Sequence, residues 1–300
     1  MWKGSRISLR KSIFLTPVII TFSIYLILFF TTRADPWGLE THKVVNDLAC
    51  ETLPPSPLKT FFIIHKEYIS EHATDPDIAL RELYGAEEGV KHFINLDAYG
   101  PFPFKELPRD YQQAVKKFGR KMIQQEGILP WWIIWSQQRL QRAMEQGDWK
   151  GVRQRASHLG HYVADLFMPL HTTANYDGQL TGNDGIHKRL EDSLVDARIE
   201  QYRVEMRKQL KKTSPEMVRV EDIFGYSLKG WLIVETILEN DRQANKEILG
   251  FFSIKGFYYQ RLDRRLKPII IRQLVEACQL LGNIWYSSWL QAGKPAPIIK

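Results

Sequence analysis

A chain of 300 residues, 44% hydrophobic and 25% charged, is long enough to bury a sizeable core, and its composition excludes general disorder. Its formal charge of +7 is concentrated at the N-terminus: residues 1–34 hold Lys3, Arg6, Arg10, Lys11 and Arg33 and no acid, so 7 − 5 leaves +2 for the rest. A body this close to neutral does not imply a strong generic affinity for polyanions.

The basic flank from Lys3 to Lys11 is followed by an apolar run from Ile13 to Phe30. That is the layout of an export signal, and its length approaches what spans a bilayer. Residues 1–34 are therefore read as a signal peptide, cleaved after Ala34, or as a membrane anchor. The charge bias places residues 35–300 outside the cytoplasm: secreted, periplasmic or anchored. Cys50 and Cys278 are far apart and form no CxxC pair, which excludes paired-thiolate zinc sites of that kind. One disulfide or two buried thiols both remain open.

Helical periodicity dominates the chain beyond residue 34 and predicts an all-α fold. A helix is expected from Leu58 to Ala73, discouraged from continuing by Pro76. Gly100-Pro101-Phe102-Pro103 marks a loop. Further helices are expected from Asp110 to Gln125, Trp131 to Gln146, and Trp149 to Phe167, the last stopped at Met168-Pro169. Thr172 to Gly185, rich in Gly, Asn, Asp and Thr, reads as an ordered loop. A helix then runs from Ile186 to about Leu210, and two or three more come after it, the last from Pro268 to Gln291. Trp131, Trp132 and Trp135 lie at helical spacing, which suits a core or a surface depression.

Histidine placement carries the chemistry. His161 and Asp165 lie one turn apart on a helix, His171 follows its end, and His187 and Glu191 repeat the i,i+4 spacing across the polar loop. Residues four apart point the same way, so each pair can hold one cation from one face. Acids make up 34 of 300 residues, so an acid four places after any one His arises by chance about one time in nine. A lone pair is therefore weak. Two pairs with His171 between them are much stronger, and His with carboxylate suits zinc. His92, in His92-Phe-Ile-Asn-Leu-Asp97, Asp77, and His42, five residues after Trp37, are further candidates.

The order Trp-Gly…His, Asp, His-Phe, His-x3-Asp-x5-His, His-x3-Glu resembles the superfamily of zinc-dependent phospholipases C and single-strand-specific nucleases. It covers roughly Trp37 to the end and is tightest over 156–191. The resemblance implies a single compact helical domain holding up to three zinc ions. One site would use Asp77, His92, His161 and Asp165. A second would use His42, Asp165 as a bridge, and the backbone of Trp37. The third would use His171, His187 and Glu191. His65, His72 and His158 are left as structural or surface residues.

It also implies phosphodiester hydrolysis, by attack of a metal-bridging hydroxide on phosphorus, with Asp77 as a general base. Phospholipid at a membrane surface is the expected substrate, on the spacing from His171 to His187 and on Glu191 as final ligand. Single-stranded nucleic acid is the alternative, favoured by the short interval from Trp37 to His42. A non-catalytic, zinc-stabilised binding module is a second alternative, and no protein partner is implied. Glu40 could face a quaternary ammonium group. The sequence departs from the family at Trp37, which Asp35-Pro36 precede where relatives have a free N-terminal Trp. Cleavage after Ala34 would leave that dipeptide for a proline-specific aminopeptidase.

Overall fold

A computed structural model describes residues 38–213, 216–246 and 255–298. The N-terminal segment 1–34 and Trp37 lie outside the described residues. Among those described, the structure is helical with no strand, and no helix is long and apolar enough to cross a membrane.

Six described helices exceed ten residues: α1 (Leu39–Thr52), α2 (Leu129–Glu145), α3 (Trp149–Leu166), α4 (Ile199–Gln209), α5 (Val220–Lys246) and α6 (Lys255–Gln291). Helix α1, marked in the sequence only by its histidine, threads its buried face of Val44, Val45, Leu48 and Ala49 into the main core. Helices α2 and α3 form a hairpin. Asp148 accepts a hydrogen bond from Gly151 N at the start of α3, satisfying one of the free amides of its first turn. Helix α6 packs along α1, α2, α3 and α5 through Leu274, Cys278, Leu281 and Trp285, all buried. A second, smaller core gathers Ile94, Leu96, Phe104, Ile123, Trp131 and Phe224 under the segment between His92 and α2.

Several expected boundaries shift, each for a physical reason. The stretch from Leu58 to Ala73 bends at His65 into Pro57–Ile64 and Lys66–Glu71. Pro76 does not end the helical path: it takes the first position of a π-helical turn, Pro76–Leu80, where its missing N–H costs little. Gly119, at φ 82°, divides the expected Asp110–Gln125 helix into Tyr111–Phe118 and Arg120–Gln125. The segment after Ile186 widens into a π-helical turn, Arg189–Val195, before α4 begins. Pro268 lies inside α6 instead of starting it, because Leu262 and Leu266 extend the buried face before it.

Cys50 and Cys278 are both free and fully buried, which resolves the open alternative for the thiols. Burial pushes both thiols well above the usual range. The native protein is expected to show no thiol reacting promptly with an aromatic disulfide reagent and two after denaturation, read by absorbance.

Candidate metal centre

Eight side chains expected to hold cations come together. His42 projects from α1, while His161 and Asp165 project from one face of α3. Asp77 comes from the π-helical turn after Pro76, and His92 from the turn before Ile94. His171 comes from the short turn Pro169–Thr172, and His187 and Glu191 from adjoining turns of the next segment. All eight are buried. π-Helical turns recur at functional sites because one extra residue re-aims a side chain, and here two of them carry Asp77 and Glu191.

The donor atoms fall into three groups, the first two sharing His161: His42 with Asp77 and His161, His92 with His161 and Asp165, and His171 with His187 and Glu191. His92 Nδ1 lies 2.9 Å from Asp165 Oδ2 and 3.5 Å from Asp77 Oδ1. His161 Nε2 lies 3.3 Å from Asp165 Oδ2 and 3.6 Å from Asp77 Oδ2. The other oxygen of Asp165 faces His171 Nδ1 at 3.5 Å and His42 Nε2 at 3.7 Å. In the third group His187 Nε2 is 2.9 Å from Glu191 Oε2 and 3.2 Å from His171 Nε2.

Backbone carbonyls settle which nitrogen is available. His161 Nδ1–H donates to Ala73 O at 2.8 Å, and His187 Nδ1–H donates to Tyr176 O at 3.1 Å. Each bond leaves an Nε2 lone pair aimed at carboxylates, the arrangement by which proteins orient metal-binding imidazoles. Behind His92, Glu88 Oε1 lies 3.7 Å from Nε2. Two ties hold the loops in register: Ile94 N donates to His171 O, and Asp97 accepts from Ala174 N and the Thr173 hydroxyl. Asp97 closes the His92 motif but carries no ligand role; its function here is to hold the polar loop.

The residues fit a cation by a direct test. Both ring nitrogens of His42, both oxygens of Asp77 and of Glu191, Asp165 Oδ1 and His171 Nδ1 are buried without a hydrogen-bond partner. Unpaired buried polar atoms are costly, and three buried carboxylates far more so, unless a positive charge sits among them. Among the described residues the one guanidinium at this centre is that of Arg81, 3.5 Å from Asp77. Burial raises the carboxyl of Glu191 well above its usual range and raises that of Asp77. It would raise Asp165 too, but His161, His92 and His171 hold that group well below the usual carboxylate range. Burial and the neighbouring His161 hold His42 low, and burial holds His187 low, so both offer neutral donors at pH 7. For His92, burial opposes charge but the hydrogen bonds of Asp165 and Glu88 prevail, lifting it to about 9. A proton and a cation therefore compete for that ring.

Other candidates lie elsewhere. His72 and His158 both bind Asp75, at 2.8 Å and 3.1 Å, and His65 packs on Phe61. Glu40 pairs with Lys43 at 3.2 Å on the exposed side of α1. Trp131 fills the smaller core, and Trp132 lines a surface cavity.

Three buried groups of His, Asp and Glu can thus each hold a metal ion. Compared with models of known protein families and with curated proteins, the chain matches none.

Proposed function

We propose that the chain is a zinc-dependent phosphodiester hydrolase of the phospholipase C/nuclease fold type, acting outside the cytoplasm on phospholipid head groups. The observation that carries this reading is the convergence of unpaired, buried imidazole and carboxylate donors around Asp165. Imidazoles and carboxylates without thiolate suit a borderline divalent cation, and zinc is the one proposed. A zinc cluster, when bound, supplies Lewis acidity toward phosphoryl oxygens and toward water.

The chain's own residues then divide the work. Asp165 links the histidines of α1, α3 and the Pro169–Thr172 turn and fixes their spacing. Asp77, whose oxygens face His92 and His161 at 3.5 and 3.6 Å, is the carboxylate proposed to accept a proton from water.

The test compares release of phosphorylated head group from a choline phospholipid with release of nucleotides from single-stranded DNA and RNA, each with and without chelator. Chelator-sensitive head-group release is expected, with little action on nucleic acid. Nucleotide release alone would move the chain to the nuclease reading, and loss of fold without any activity would favour a structural metal. Activity is also expected to fall in acid, as protonation of the imidazoles and carboxylates competes with the cation.

A further inference from the structure

Glu88 and Tyr162, which stand behind His92, also form part of the wall of a separate cavity of about 310 Å³. That volume lies within the range of small-molecule sites. Leu80, Tyr84, Trp132 and Leu159 give it an apolar floor, while Lys91, Arg139 and Arg155 bring positive charge.

The charges do not cancel. Among the described residues Glu88 is the one carboxylate on the wall, and its oxygens are already engaged, one by the Tyr162 hydroxyl and the other by Lys91. Among the described residues Arg155 pairs with Asp148 alone, at 3.3 Å and itself 46% exposed, a pairing worth little in water. Arg139 meets no carboxylate among the described residues. Its guanidinium lies 4.4 Å from the Trp132 ring centre, and the Lys91 ammonium lies 4.1 Å from the same ring. Burial, then the nearby Arg142 and Arg155, pull the Arg139 guanidinium below its usual range, the direction expected of crowded cations.

We propose that this cavity is a phosphate-binding site, distinct from the metal centre, in which Arg139 and Arg155 hold a phosphate dianion. Two guanidinium groups with weak or absent partners match a doubly charged tetrahedral anion, which accepts forked hydrogen bonds from each. The same group can arrive as free phosphate or as the terminal phosphate of an anionic lipid.

The experiment uses the metal-loaded full chain beside Arg139→Gln/Arg155→Gln, with equal metal content and melting temperature as the check on folding. Binding of labelled inorganic phosphate is measured by equilibrium dialysis. Binding to phosphatidylcholine vesicles with and without phosphatidic acid is measured by co-sedimentation. Phosphate held at the metal centre contributes equally to both proteins, so the difference reports the cavity. The variant is expected to lose one phosphate site or weaken it roughly tenfold or more, the worth of a charge-assisted hydrogen bond. Arg139→Lys/Arg155→Lys should retain part of the binding. Loss seen only with phosphatidic acid identifies a bilayer source, and loss with free phosphate identifies a soluble one. Identical binding by wild type and the Gln variant to both probes would overturn the site.

Discussion

On the proposed function, Asp165→Asn is expected to cost one of three zinc equivalents and to abolish phosphodiester hydrolysis, with the helical content unchanged. Asn has the shape of Asp, so no cavity forms and α3 keeps its packing. What is lost is a charge that faces four imidazoles, with one oxygen toward His92 and His161 and the other toward His42 and His171. Removing a mere supporting partner of a ligand costs metal affinity by roughly 10–100-fold, and a shared anionic ligand should cost more. The groups of His42, Asp77 and His161 and of His171, His187 and Glu191 keep all three of their own donors, so two equivalents should survive. Elemental analysis after dialysis decides the matter. Three retained equivalents would show that Asp165 is not shared.

Gly160→Ala is expected to destabilise the protein by about 3 kcal/mol and to weaken metal binding, although it adds a better helix former. A methyl group at Gly160 would lie 1.8 Å from Asn46 Oδ1. Asn46, fully buried on α1 one turn beyond His42, donates to Ile69 O at 2.9 Å and to Ser157 O at 3.0 Å. Either Asn46 turns away and leaves its own buried amide N–H groups unpaired, or α1 moves off α3 and carries His42 away from Asp165. The propensity gain of Ala over Gly is about 1 kcal/mol, whereas overpacking and a lost buried hydrogen bond cost about 1–3 kcal/mol each. The clash wins. Thermal melting checks the sign, and Asn46→Ala combined with Gly160→Ala should recover part of the loss. A melting temperature unchanged by Gly160→Ala would mean that α1 and α3 part without cost.

The features legible in the sequence are those whose signals are local. The i,i+4 pairs are of this kind, and His161–Asp165 and His187–Glu191 do share faces as their spacing requires. The long helices α2 and α3 were visible because their apolar period is sustained. Contacts made at a distance were not visible. Nothing near Asp196 in sequence announces that its carboxylate accepts from Glu40 N and Thr41 N and so caps α1. Gly38 allows that approach, since a Cβ there would lie 2.1 Å from the same carboxylate. The carbonyls of Ala73 and Tyr176, which orient His161 and His187, have no side-chain signature at all. The π-helical turns at Asp77 and Glu191 were missed for a related reason: one extra residue in a turn hardly disturbs an apolar pattern, yet it re-aims every donor after it.

The donors run from His42 to Glu191, so a cation held among them ties together stretches of chain that are remote along the backbone. In an unfolded chain those stretches are brought together only at a cost in loop-closure entropy that grows with their separation. Metal bound to the folded state alone stabilises it by mass action, about 2.7 kcal/mol when free metal exceeds its dissociation constant 100-fold. With its two thiols buried and unjoined, the domain has no covalent cross-link of its own. A cation bound among these donors would take that place as a reversible one, and thermal stability would then rise with the logarithm of the free metal concentration.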